Sequence, residues 1–261
     1  MKRTLALIQL HVEAGDKATN IANAFARIKE AASKADIIVL PEMWTTGYNL
    51  SRLGQQVTHE GDELLQRLEA FAREQKKWIV TGSLPTKENE KVYNRTHCFG
   101  PDGAVAQYDK THLFSLLSEP DKFAAGNQIV SAKIADIHCG LSICYDLRFP
   151  ELYRKLALGG ATLVFVPAEW PTSRLVAWEN LIQARAIENQ MYICAVNAVG
   201  TFKNNIFAGH SALIDPMGEN VVKGDQNEAI LYGEYDSDIV EKTRARMSVF
   251  ADRRPEVYDG E

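Results

Sequence analysis

The sequence predicts an α/β fold in which a mixed sheet is covered by helices, and three observations carry that prediction. Apolar runs of strand length, Ile37–Leu40 above all, alternate with stretches whose apolar residues recur at helical spacing. Runs apolar at every position suit strands buried on both faces. Two turn signals, Gly100-Pro101-Asp102-Gly103 and Pro216-Met217-Gly218-Glu219, each join a pair of strand-like segments into a hairpin. No linker, repeat or low-complexity tract interrupts the 261 residues, so one domain over residues 1–261 is expected. Periodicity does not say whether the strands form one sheet or two packed together.

In chain order, Thr4–Leu10 reads as the first strand. Lys17–Lys34 follows as a helix, with Ile21, Ala24, Phe25, Ile28 and Ala32 on one side, and Ile37–Leu40 as a buried strand. Glu63–Gln75 is a second helix, its apolar face made by Leu64, Leu65, Leu68 and Phe71, and Trp78–Ser83 returns as strand. Tyr93–Phe99 and Val105–Tyr108 are the arms of the first hairpin. Ile137–Ile143 is a further strand, and a helical stretch opens at Pro150, a residue favoured in a first helical turn. Thr162–Val166 is strand, Ala177–Glu188 helix and Met191–Val196 strand. His210–Asp215 and Asn220–Val222 form the second hairpin, and Asp238–Arg246 is the last helix before a charged tail.

Composition narrows the function classes. The chain carries 29 basic and 34 acidic side chains, net −5, with no basic cluster of the kind nucleic-acid binding needs. Leu5 to Leu10 is short, contains Gln9 and leads into polar sequence without a cleavage-like site, so it reads as a strand, not a signal peptide. No apolar run approaches the roughly 18 residues of a membrane span. A cytoplasmic location is expected, with reduced thiols. Cys98, Cys139, Cys144 and Cys194 and the six scattered histidines lack the spacing of a zinc site, so no metal is expected. Cys98, Cys139 and Cys194 lie in strand-like segments, where packing explains them.

Cys144 is different. It sits where the strand Ile137–Ile143 gives way to the helical stretch at Pro150, a place where backbone N–H groups and a helix dipole favour negative charge. A thiol is a weak nucleophile at neutral pH unless its surroundings activate it. A small buried hydrophobe is the alternative reading. Glu42 directly follows the buried strand Ile37–Leu40, at the kind of sheet edge where α/β proteins place ligands. Beside Met43 and Trp44 it is expected to be partly desolvated, which raises a carboxyl group's pKa towards the range of a general base. Lys110, just past the strand Val105–Tyr108, can aim a fixed charge into a pocket. Glu119, nine residues on, can hold that lysine in place. Taken singly, each is equally a capping or surface residue.

Their order is more specific than any one of them. Leu40-Pro41-Glu42, Tyr108-Asp109-Lys110-x-His112-Leu113 and Cys144-Tyr145-Asp146-x-Arg148-x-Pro150-Glu151 together resemble the nitrilase superfamily of carbon–nitrogen hydrolases. The resemblance runs nearly end to end, through Gln9 in the first strand, Gln183-Ala184-Arg185-Ala186-x-Glu188-Asn189, Gly209-x-Ser211 and Asp215-Pro216-x-Gly218. It implies a four-layer α-β-β-α sandwich and a catalytic Glu42–Lys110–Cys144 triad supported by Glu119. It also implies an oxyanion site completed by the backbone N–H of Tyr145, a homodimer, and no metal or organic cofactor.

Within that superfamily, Val166-Pro167-Ala168-Glu169-Trp170-Pro171-x-x-Arg174-x-x-x-Trp178 looks most like bacterial ω-amidases. Those cleave the terminal amide of 2-oxoglutaramate or 2-oxosuccinamate to acid and ammonia. Another small aliphatic amidase, an N-carbamoyl amidohydrolase and a nitrilase are the alternatives, with a non-catalytic scaffold as a remote one. Glu169 stands where Asn or Gln is expected. Arg174, between a strand end and a helix start, is the candidate for the substrate carboxylate, because a guanidinium pairs with a carboxylate in bidentate fashion. A surface arginine capping a loop is the other reading. Arg148 is a rival for that role, although its place in the Cys144 motif suggests that it braces Asp146 or Glu151.

Overall fold

The computed structural model describes residues 1–258. The first part of the chain runs β1 (Lys2–Gln9), α1 (Lys17–Ala32), β2 (Ile37–Val39), α2 (Leu53–Gln56), β3 (Thr58–His59), α3 (Glu63–Gln75), β4 (Trp78–Val80) and β5 (Leu84–Glu88). Then come β6 (Lys91–Gly100), β7 (Gly103–Asp109), β8 (Ser131–Ile134), β9 (Ile137–Leu141), α4 (Pro150–Leu158), β10 (Leu163–Ala168) and α5 (Leu175–Asn189). The remainder is β11 (Tyr192–Asn197), β12 (Val199–Phe202), β13 (Asn205–Ala208), β14 (Ala212–Ile214), β15 (Asn220–Lys223), β16 (Ala229–Asp236), α6 (Ser237–Arg246) and α7 (Pro255–Tyr258). Helix starts follow from local chemistry. Asp16 caps α1 by accepting from the Thr19 N–H at 3.1 Å, and Asp62 caps α3 by accepting from the Leu64 N–H at 3.0 Å. Pro150 sits in the first turn of α4, where its missing N–H costs no helical bond.

Two mixed sheets form. One has the order β16-β1-β2-β4-β6-β5-β3, with β7 pairing β6, and the other β15-β14-β11-β10-β9-β8. In each, the central strands are parallel: β1, β2 and β4 in the first, β9, β10 and β11 in the second. Alternation along these strands builds the layers. Leu5, Leu7, Ile37 and Val39 of the first sheet share one core with Cys139, Leu141, Phe165 and Cys194 of the second. Ala6, Ile8, Ile38 and Leu40 face the other way, onto Phe25 and Ile28 of α1 and Leu64 and Leu68 of α3. Val164, Val166 and Ile193 likewise face Tyr153 of α4 and Trp178 and Ile182 of α5. The layering is therefore α-β-β-α, each fully buried aliphatic or Phe side chain contributing roughly 1.5–3 kcal/mol.

The sequence reading places most central elements within a few residues. It misses β3, β5, β8, β12, β13 and β16 and the short helices α2 and α7, the latter following the helix read as the last. Pro85 interrupts the apolar pattern of β5, and Gly233 and Glu234 that of β16, although β16 pairs with β1 over eight residues. Cys98, Cys139 and Cys194 all lie in the core between the sheets.

One close backbone approach sets the edge used below. Gly82, past the end of β4, has φ +65°, and a Cβ there would collide with the carbonyl oxygens of Pro41 and Leu40. Gly82→Ala is expected to lower thermal stability at least twice as much as Gly61→Ala. Gly61 also has positive φ but has open space around it, so its cost is confined to about 1–2 kcal/mol of backbone strain. Equal melting-temperature losses for the two variants would contradict the packing described.

Candidate active site

The carboxyl ends of the parallel strands in both sheets meet at one edge. Glu42 follows β2, Cys144 follows β9, and Glu169 follows β10 directly. The Glu42 N–H donates to the Ala168 carbonyl at 3.4 Å, and the Glu169 N–H donates to Glu42 Oε2 at 3.0 Å. The two sheets are thus stitched together through the carboxylate itself.

Glu42, Lys110 and Glu119 are all fully buried. Lys110 Nζ donates to Glu42 Oε1 and Glu119 Oε1, both at 2.9 Å, and to Tyr48 Oη at 3.3 Å. Glu42 Oε1 also accepts from Asn94 Nδ2 at 2.9 Å, and Glu119 Oε2 from the Phe114 N–H at 2.6 Å. Burial works against the Lys110 charge, but Glu42 and Glu119 outweigh it and push the pKa above the usual lysine range. Burying an ion costs several kcal/mol unless partners and hydrogen bonds compensate, and this constellation supplies both. Tyr48 Oη lies 2.6 Å from Oε1 of each glutamate. A phenol has one proton and donates to one carboxylate at a time, so the second contact is a hydrogen bond only when that carboxyl is protonated.

Two further networks hold this constellation. Asp146 accepts from the Ile143 N–H (2.8 Å), the His112 N–H (3.0 Å) and the Tyr108 hydroxyl (2.7 Å), tying the Cys144 turn to the segment that carries Lys110. Arg95, almost wholly buried, pairs with Asp109, Glu60 and Glu88 at 2.6–2.8 Å and fixes the β6–β7 hairpin from which Lys110 emerges.

Cys144 opens a 3₁₀ turn, Cys144–Arg148, with φ +45°, a strained conformation for a residue with a side chain. The turn corrects the expected electrostatics. No α-helix begins at Cys144, and burial together with the Glu42 charge pushes the thiol pKa well above its ordinary value, with Lys110 opposing. The resting group is a thiol, and Glu42 is the acceptor facing it.

A narrow cavity opens onto these groups. Its deep wall is Cys144, Lys110, Tyr48 and Glu169, and Phe114, Tyr145, Arg148 and Arg174 stand towards the mouth. Arg148 lies 5.0 Å from the Trp170 ring and Arg174 lies 5.1 Å from the Phe114 ring. Neither forms an ion pair with a described residue. Among the described residues, no group of three or more His, Cys, Asp or Glu is placed to hold a metal ion, and no helix is long and apolar enough to cross a membrane.

The family model described as carbon-nitrogen hydrolase matches residues 4–245. The chain belongs to the carbon–nitrogen hydrolase family. A 2-oxoglutaramate amidase of Bacillus subtilis (strain 168) is 37% identical over 259 residues, covering 99% of this chain and 100% of that one. An omega-amidase of Homo sapiens is 32% identical over 265 residues, covering 97% and 96%. Among solved structures, a hydrolase-superfamily protein of Xanthomonas campestris with an arsenic adduct in its active site superposes with a TM-score of 0.92 at 29% identity, covering 97% of this chain and 98% of that one.

Within this carbon–nitrogen hydrolase, Glu42, Lys110, Cys144 and Glu119 meet at one point, and Tyr145 and Arg174 line the same cavity. Arg148 does not brace Asp146, whose partners are Ile143, Tyr108 and His112, and it reaches the cavity instead. Tyr48 and Asn94 were missed. Asn94 carried a signal, a polar residue within an otherwise strand-like run, but Tyr48 lies in an irregular segment with no pattern to mark it.

The raised thiol pKa has a direct consequence. Thiolate ultraviolet absorbance, taken as wild type minus Cys144→Ala, is expected to show no ionisation below about pH 8. A full thiolate step below pH 7 would contradict the assignment of a resting thiol.

Proposed function

We propose that this chain is an ω-amidase, cleaving the terminal amide of a short 2-oxo dicarboxylic acid monoamide such as 2-oxoglutaramate or 2-oxosuccinamate to acid and ammonia. The observation that carries the reading is the pair of guanidiniums, Arg148 and Arg174, without carboxylate partners among the described residues, at the mouth of a small cavity whose deep wall holds Cys144 and Lys110. A substrate with an amide at one end and a carboxylate at the other spans that arrangement. The similarity to amidases named for such substrates supports it.

In this reading Glu42 takes the thiol proton as Cys144 Sγ attacks the amide carbon. The developing oxyanion is met by the Tyr145 N–H and by Lys110. Of the three Lys110 donors, the one held loosely by Tyr48 at 3.3 Å is the one free to turn towards it. One such donor is worth about 3–4 kcal/mol. Glu42 then returns its proton to the departing nitrogen, the carbon–nitrogen bond breaks, and ammonia leaves a thioester on Cys144. Water, deprotonated by Glu42, cleaves the thioester, and the thiol is restored. Glu119 holds Lys110 and shares Tyr48 with Glu42, so it fixes the charge and the proton capacity of the cluster. The chain is proposed to act as one catalytic domain, as a homodimer, in the cytoplasm and without a cofactor.

Three variants test the roles. Glu42→Gln and Lys110→Met are each expected to lower kcat by about 10²–10⁴-fold with much smaller changes in KM. A Lys110→Met enzyme retaining most of its kcat would remove the oxyanion role. Arg174→Met is expected to raise KM for 2-oxoglutaramate about 10–100-fold and leave an uncharged aliphatic amide nearly unaffected. Equal effects on both would place the carboxylate elsewhere. A panel of 2-oxoglutaramate, 2-oxosuccinamate, glutamine, a carbamoyl amino acid and a simple nitrile fixes the substrate class, and fastest turnover of the nitrile or carbamoyl compound would overturn the ω-amidase reading.

A further inference from the structure

The chemistry above leaves Glu169 unused, and its surroundings are unusual. The residue is 3% exposed, and its backbone N–H is spent on Glu42 Oε2. Neither carboxyl oxygen meets a donor among the described residues, yet the side chain lines the cavity beside Cys144 and Lys110. A buried carboxyl without donors is costly, and nothing in the packing of the strand end requires one. Burial, reinforced by the Glu42 charge, pushes its pKa well above the usual carboxyl range and so favours the protonated form. Its side chain lines the same cavity as Cys144 and Lys110.

The other acceptors beside Lys110 are already committed. Glu42 Oε1 receives Tyr48, Asn94 and Lys110, and Oε2 receives the Glu169 N–H. Glu119 Oε1 receives Lys110 and shares the single Tyr48 proton with Glu42, and Oε2 receives the Phe114 N–H. A primary amide seated with its carbon against Cys144 and its oxygen towards Lys110 still presents two N–H donors. A site that buries those donors must supply an acceptor for them.

We propose that Glu169 is a specificity-determining residue whose buried carboxyl accepts a hydrogen bond from the NH₂ group of the scissile primary amide, selecting amides over acyl compounds that lack an N–H at that position. This rests on the acyl-transfer reading above, though not on the identity of the acyl chain. The glutamate takes no part in bond making; it orients the nitrogen towards Glu42, which protonates it on departure.

The experiment compares kcat/KM for an amide and for the methyl ester of the same acid, in wild type, Glu169→Gln and Glu169→Leu. Glutamine keeps a side-chain carbonyl in nearly the same place and is neutral at every pH, so Glu169→Gln is expected to hold the amide-to-ester ratio within about 3-fold of wild type. Leucine offers no acceptor, so Glu169→Leu is expected to lower that ratio about 10–100-fold, with the loss falling on the amide. Ester turnover reports that the variant is folded. If Glu169→Leu does not fold, Glu169→Met, unbranched and of similar length, takes its place. An unchanged ratio in the folded Leu or Met variant, or a ratio collapsed as far in Glu169→Gln, overturns the proposal. The pair is built from whichever amide of the panel is turned over fastest. A failure of 2-oxoglutaramate as substrate is thereby separated from a failure of the Glu169 assignment.

Discussion

A fully buried ammonium held between two fully buried carboxylates is the constraint on which the site depends. Lys110 cannot sit in that interior without Glu42 and Glu119, and neither carboxylate can sit there without Lys110 and the donors around it. Removing one partner of such a buried pair typically costs 3–5 kcal/mol, because the other is left uncompensated. The cluster therefore fixes its own geometry. Glu42 is held by the side chains of Tyr48, Asn94 and Lys110 and by the backbone just past β10, so its position is set by the whole edge of the sandwich and not by its own loop.

That rigidity bears on reactivity. Cys144 is held in a strained turn facing a carboxylate, and its thiol is harder to ionise than a free cysteine. A nucleophile of this kind is activated at the moment of attack by transfer of its proton to a neighbouring base, and not by standing ionised beforehand. The Glu42–Tyr48–Glu119 chain, with one phenolic proton between two carboxyl groups, is suited to receive that proton and give it back. Reaction at Cys144 and the buried charge at Lys110 are thus two aspects of one electrostatic arrangement.

Much of this was legible in the sequence, and the reasons differ residue by residue. β2, β10 and β11 are buried on both faces and announce themselves as apolar runs, while β8 and β16 at sheet edges carry polar residues on a period that short windows miss. Glu42 follows β2, Cys144 follows β9 and Lys110 follows a hairpin strand, and all three lie in recognisable motifs, while Glu119 in its loop was found only through the family resemblance. Tyr48 was not, because its role is created by tertiary packing that brings an irregular segment against two distant glutamates. The state of the Cys144 thiol was not legible for a related reason. The sequence shows a strand followed by a helical stretch, but not that a 3₁₀ turn intervenes or that Glu42 faces the sulfur. Glu169 was visible only as an unexpected residue type, and its orphaned oxygens required the fold.

The central claim is that Cys144 carries the acyl group between the two halves of the reaction. Peptide mass spectrometry after acid quenching of wild-type enzyme turning over 2-oxoglutaramate tests it directly. The account requires an increment equal to the substrate minus ammonia on the peptide containing Cys144, and none in Cys144→Ala, which should be folded and inactive. An acyl adduct on Cys139 or elsewhere, or ammonia release by Cys144→Ala at the wild-type rate, would contradict it.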